Sequence, residues 1–185
     1  MDPALRDVEA LSRKLTKFSE ETQAVAAVAI LLREADRNLR LLVVKRVENP
    51  KDPWSGQMAL PGGRREPGDR SLKETVIRET LEETNIDLAN RCRFLGVLEP
   101  VRSAVRPGMT VLPFVFVLEH DPEIKLSAEE LERYIWVDPK QLIRSRGSVK
   151  FNFGAFPAYL IGDSVIWGLT YIILTKLLET LQLPL

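Results

Sequence analysis

The stretch that most constrains the fold runs from Pro61 to Ile86, "PGGRREPGDRSLKETVIRETLEETNI", where a glycine-rich segment leads into an acid-rich helical pattern. Ser71 and Glu74 have the spacing of a capping box, and Asn85 stands where a helix ends in the left-handed conformation. Ser71 to Thr84 therefore reads as a helix. At about 100° per residue, Glu79, Glu82 and Glu83 fall on one side of it and can converge, although like charges at these spacings repel. Such crowding belongs either on a solvated face or beside a cation that offsets the repulsion.

The rest of the chain has to bury one face of that helix. With 185 residues, 45% of them hydrophobic, it is long enough for a single domain with a real core. Lys and Arg total 26, as do Asp and Glu, and this balance argues against broad binding to nucleic acid or an anionic membrane. The single cysteine, Cys92, cannot form an internal disulfide; it reads as a small buried hydrophobe and fits a reducing, cytoplasmic setting. No secretory signal is visible, because the first residues mix acids and bases along a helical stripe of Leu5, Val8, Leu11, Leu15 and Phe18, with Asp2 and Pro3 suited to its start. Ser164 to Thr175 is uncharged but much shorter than the ~20 residues that span a bilayer, so it is expected in the core. The simplest organisation is an N-terminal helical extension, 1–22, followed by one domain, 23–185. That amphipathic extension has two possible destinations, its own domain or the interface of a homodimer.

Strand and helix patterns alternate along the domain. "AVAAVAILL" (24–32) and "LRLLVVKRV" (39–47) flank the polar "READRN", which predicts two paired strands joined by a short connection. "QMALPGG" reads as a short strand running into a glycine-rich turn, and "RFLGVLEPV" and "TVLPFVFVLE" as further strands. "SAEELERYIWV" opens with a second capping-box pattern, Ser127 with Glu130, which points to capped-helix acids; "VDPKQLI" predicts a short helix capped by Asp138. "YLIGDSVIW" has the form of a hairpin turning at Gly162-Asp163, and "LTYIILTKLLETL" of a helix that covers a sheet. An α/β fold follows, with a mixed central sheet and helices outside.

Convergent carboxylates suit a hard divalent cation, because Mg²⁺ prefers oxygen ligands and also binds substrate phosphates. Gly62, Gly63 and Gly68 allow close approach of the backbone, and Arg78 can pair with Glu82 one turn on. Lys45, Arg46, Arg64 and Arg65 suit phosphate contacts or, equally, solvated strand and loop ends. Trp54 suits stacking on an adenine, Trp136 and Trp167 are expected in the core, and His120 reads as a turn residue.

These residues resemble the box of the Nudix hydrolases: Gly, an acid, then Arg-Glu-apolar-x-Glu-Glu-x-Gly-apolar. Gly63 starts it here, Asp69 stands at the first Glu, and Arg78, Glu79, Glu82, Glu83 and Ile86 hold the core positions. One extra residue separates Asp69 from Arg78, Thr80 replaces the apolar residue, and Asn85 replaces the last Gly. The longer string from Leu41 to Leu88 and the C-terminal "VIWGLTYIILTKLL" are similar to the coenzyme A pyrophosphatase branch of that family. The resemblance implies an α/β/α Nudix sandwich that uses Mg²⁺, or Mn²⁺ in its place, to hydrolyse a nucleoside diphosphate linked to another moiety. Coenzyme A is the first choice, giving 3′,5′-ADP and 4′-phosphopantetheine; alternatives are ADP-ribose, a noncanonical nucleoside triphosphate, or a nucleotide-sensing domain without turnover. By position, Glu79 and Glu83 would be metal ligands, Glu82 a ligand or the general base, and Arg78 an orienting ion-pair residue. Gly63 would shape the substrate loop, with Arg46 and Arg64 near the phosphates. Because the base comes from a distant loop in some members, Glu129, Glu130 and Glu132 are candidates too.

Overall fold

The structure, a computed structural model, describes residues 3–19, 22–52, 54–104 and 106–183. Its first domain element is a hairpin of β1 (Ala26–Ala35) and β2 (Asn38–Arg46). The polar connection is shorter than its composition suggests: Asp36 and Arg37 alone form the turn, at φ 51° and 63°, and Arg33 to Ala35 remain in the strand. Two successive positive φ values give the turn whose twist matches that of the strands it joins.

Past Leu32 and Leu41 the two strands part. Into the gap enter β3 (Met58–Ala59), paired with β2, and β4 (Gly62–Arg64), paired with β1. Gly62 and Gly63 are thus in a strand rather than in a turn. The reason is steric: at Gly62, φ 142°, an added Cβ would lie 2.2 Å from the Ala27 carbonyl oxygen, so only glycine lets β4 approach β1 this closely. The other edge of β1 pairs in parallel with β7 (Thr110–Leu118), which also carries β5 (Cys92–Val97) and β6 (Val101–Arg102), while β8 (Leu131–Val137) closes the far side of β2. The sheet is mixed as expected, but β8 replaces the expected capped helix. Ser127 to Glu130 form only a turn, and the following residues pair with β2 because Leu131 and Val137 bury against the sheet.

On one face of the sheet lies α2 (Leu72–Thr84), capped by the Ser71 side chain on the Glu74 amide and ended by Asn85 at φ 63°. Its Leu72 and Val76 pack on Ala27, Ala29 and Leu31 of β1. On the other face lie α1 (Pro3–Lys14), α3 (Pro139–Arg144, capped by Asp138) and α4 (Gly168–Thr180). A small second sheet joins them, made of β9 (Arg146–Phe151), β10 (Gly154–Ile161) and β11 (Ser164–Trp167), with β10 and β11 joined at Gly162-Asp163 as predicted. α1 buries Ala4, Val8 and Leu11 in the core of its own domain. It stops before Phe18, because Thr16 bridges to Val97 in extended form and Phe18 then rests on Phe114 at 5.0 Å. Asp2 lies outside the described residues. No helix among the described residues is long and apolar enough to cross a membrane.

Thr80 occupies the apolar slot of α2, fully buried, with no hydrogen-bond partner for its hydroxyl. Leaving a buried hydroxyl unpaired is unfavourable. Thr80→Val keeps the shape and removes that group, so it should raise stability by about 1 kcal/mol and the Tm by roughly 2–4 °C, measured by thermal unfolding.

Candidate active site

One side of α2 faces β4, and Arg78 is the hub of its charged residues. The guanidinium donates from Nε to Asp69 Oδ1 and from Nη2 to Asp69 Oδ2, each at 3.0 Å, and from Nη1 to Glu82 Oε2 at 3.2 Å. Nη1 also lies 3.0 Å from Glu79 Oε1. The predicted Arg78–Glu82 pair is present, but Asp69 is the stronger partner. The Arg78 hydrogen bonds hold the Asp69 carboxyl well below the usual carboxylate range, supported by the Glu66 amide and the Thr75 hydroxyl. Arg65 braces the same loop by donating to the carbonyls of Asp69 and Arg70.

Glu83 is only 2% exposed. It accepts from the Gly62 amide at 2.9 Å, and Arg46 Nη1 lies 3.6 Å from its other oxygen, while Arg46 Nε donates to Asp52 at 2.7 Å. Burial pushes the Glu83 carboxyl up to about 8 against these partners, and burial likewise raises Glu79. Both feel the negative charge of Glu130. Glu130 is brought there because the last carbonyls of α2, Glu83 and Thr84, accept from the amides of Ser127 and Lys125. Gly63 leaves room for Glu79: a Cβ there would fall 2.4 Å from Glu79 Oε1. Arg64 is exposed on β4, Glu129 is exposed, and Glu132 pairs with Lys45 at 2.8 Å.

The expected convergence of Glu79, Glu82 and Glu83 is not found: among the described residues no three acids, histidines or cysteines are gathered closely enough to hold a metal ion. Arg78 draws Glu79 and Glu82 to itself, and the Gly62 amide holds Glu83 apart. The donor set nevertheless fits a hard divalent cation. It is made only of oxygens, and burial disfavours the charge of Glu83 and, less completely, of the half-buried Glu79 beside Arg78.

Across the sheet lies a cleft of about 840 Å³ lined by Lys45, Trp54, Arg133, Phe151, Phe156 and Trp167 among others. Trp54 lines it with the Arg106 guanidinium 4.4 Å above its ring. Trp167, expected in the core, faces the cleft instead, 4.5 Å from the ring of Phe151. Trp136 is partly buried and carries the Arg33 guanidinium at 4.2 Å. The aromatic wall from β9 to β11 was not apparent in the sequence; the only local signal is the clustering of Phe151, Phe153 and Phe156. Cleft and acids flank the end of β2 on opposite faces of the sheet: Lys45 lines the cleft, and the next residue, Arg46, reaches Glu83.

A sheet split by a glycine strand, with an acid-edged helix laid over the split, defines a class: residues 22–158 match the family model of the NUDIX domain. The chain belongs to the Nudix hydrolase family, whose members act on pyrophosphate bonds. It is 31% identical over 157 residues to the Nudix hydrolase NudL of Yersinia enterocolitica, an overlap covering 77% of this chain and 74% of NudL. Identity to the human mitochondrial coenzyme A diphosphatase NUDT8 is 28% over 167 residues, covering 85% of this chain and 70% of the relative. The chain spans only 31% of the length of a fission yeast relative. Among solved structures, the fold is similar to the Nudix hydrolase RenU of M. smegmatis, with a TM-score of 0.60 and 16% identity over 88% of this chain and 89% of that one.

The raised Glu83 carboxyl makes metal-free stability depend on pH. A group whose folded value lies above its unfolded value of 4.5 stabilises fully below that value and loses its contribution as pH rises through about 8. In EDTA, the wild-type Tm should fall across this window more steeply than that of Glu83→Gln, and added Mg²⁺ should restore the wild type alone. Parallel Tm profiles of the two proteins would show that Glu83 does not carry the effect.

Proposed function

We propose that this chain is a divalent-cation-dependent pyrophosphatase that cleaves coenzyme A or a derivative to 3′,5′-ADP and 4′-phosphopantetheine. The observation that carries this reading is the end of β2, where Arg46 reaches the buried Glu83 on one face and Lys45 lines the aromatic cleft on the other. A diphosphate at the acids leaves the cleft for the substrate's other parts, and a long, partly apolar molecule fits it better than a compact nucleotide. Similarity to a coenzyme A diphosphatase supports the same choice.

Glu79 and Glu83 would hold Mg²⁺ or Mn²⁺, with Glu82 and Glu130 flanking them. When bound, the ion neutralises phosphate oxygens and lowers the pKa of a water. Asp69 fixes Arg78, and Arg78 in turn orients Glu79 and Glu82. The Gly62 amide orients the Glu83 carboxyl before any ligand arrives. Glu82, exposed beside Arg78, or Glu130 serves as the base that takes the proton of the attacking water. Arg46, between Asp52 and Glu83, is placed to meet a phosphate oxygen, and exposed Arg64 is a second contact. We place the protein in a reducing, cytoplasmic setting, where partly buried Cys92, pushed up to about 12 by burial, stays a thiol.

The test is product identification with Mg²⁺ and a panel of coenzyme A, ADP-ribose and nucleoside triphosphates. Coenzyme A should be cleaved most efficiently, and Glu79→Gln and Glu83→Gln should fold yet lose most turnover. Equal efficiency on ADP-ribose would replace the coenzyme A assignment with a broad diphosphate hydrolase. Tight binding of one compound without cleavage of any would make the chain a nucleotide sensor.

A further inference from the structure

Lys45 of β2 and Arg133 of β8 are direct cross-strand partners, and both line the cleft. Like charges opposite one another on neighbouring strands are unfavourable. The strands are irregular at this point: the register passes from Lys45–Arg133 to Arg46–Leu131 and leaves Glu132 unopposed. Such a bulge re-aims side chains, and here Glu132 pairs with Lys45 at 2.8 Å. Arg133 is held from the β10–β11 turn, its Nη2 donating to Asp163 Oδ1 and to Ser164 Oγ, each at 3.0 Å. The Ser164 hydroxyl, in a residue only 2% exposed, donates to Asp163 Oδ1 at 3.3 Å.

The Asp163 carboxylate therefore takes the bonds that any anionic oxygen would take at this spot. Its side chain is 82% exposed at a hairpin tip, and that of Glu132 is 47% exposed. Exposed ion pairs are weak and readily exchanged. A phosphomonoester carries more charge and three acceptor oxygens, and it competes well for two cations and a hydroxyl. The rings of Phe151, Phe156 and Trp167 line the same cleft and give it an apolar wall.

We propose that Lys45, Arg133 and Ser164 form a second anion site, separate from the acids of α2, which receives a phosphomonoester on the ribose of the substrate. The substrate class narrows to pyrophosphates that carry such an extra phosphate, and Asp163 and Glu132 occupy the site until the phosphate displaces them. The identification of the phosphate's bearer as substrate rests on the proposed pyrophosphatase activity; the site itself does not.

Calorimetric titration in EDTA with 3′,5′-ADP, 2′,5′-ADP and 5′-AMP tests it without turnover. The wild type should bind at least one bisphosphate roughly tenfold more tightly than AMP, the size of one charge-assisted contact. A 3′ preference matches coenzyme A, a 2′ preference matches a phosphorylated dinucleotide, and either supports the site. Arg133→Gln and Lys45→Gln should reduce the preference toward unity, with Arg133→Lys restoring part of it. Asp163→Asn, a change at an exposed turn, should increase it by removing the competing carboxylate. Equal affinity for all three ligands in the wild type, an equal loss for all three in Arg133→Gln, or no gain in Asp163→Asn would each overturn the proposal. Coenzyme A cleavage without this binding pattern would refute the second anion site alone; the pattern without cleavage of any pyrophosphate would refute the proposed reaction alone.

Discussion

The hydrogen bond from the Gly62 amide to Glu83 joins the parts on which the site depends. It ties β4 to α2, and it holds a buried carboxylate where burial alone would disfavour the charge. Only a residue without a side chain can stand at Gly62, because β1 runs directly beneath it, and a side chain at Gly63 would push the Glu79 carboxylate from its place. The opening between β1 and β2, the glycine strand that fills it and the acids above it are thus one structural unit.

Charge around that unit is arranged in two directions from one strand end. Arg46 turns toward α2 and contacts Glu83, whereas Lys45 turns to the other face and enters the cleft. Alternation of side chains along a strand makes this unavoidable. A ligand lying across the end of β2 can therefore be read chemically on both sides of the sheet, by acids on one and by cations and aromatic rings on the other. Asp69 has a different part from the acids near it. Bound twice by Arg78 and once each by the Glu66 amide and Thr75, it is a fixed counter-charge that orients the arginine.

Much of this was legible before the fold was known. The Ser71 cap, the Asn85 terminus, the Asp138 cap and the Gly162-Asp163 turn stand where local spacing puts them. Ser127 with Glu130 shows the weakness of such reading. Its spacing matches a helix start, but the edge of β2 offers the next residues a full ladder of hydrogen bonds, and the chain becomes β8. A short local motif yields where a longer tertiary pairing competes for the same backbone. Trp167 misleads in a similar way, since apolar neighbours place it at the core without showing that the ring turns into the cleft.

The sequence by itself determined the acid-bearing helix, its two ends and the glycines before it, because each depends on contacts within a few residues. It also determined the α/β class, through alternating strand and helix periodicities. Only the tertiary structure decided which charges meet. Arg46 reaches Glu83, Arg133 faces Lys45 and meets Asp163, and Glu130 approaches the acids of α2 across long separations in the chain. Those meetings follow from the order and register of strands, which are set by the packing of two apolar faces and by the space at Gly62, and no local pattern records them.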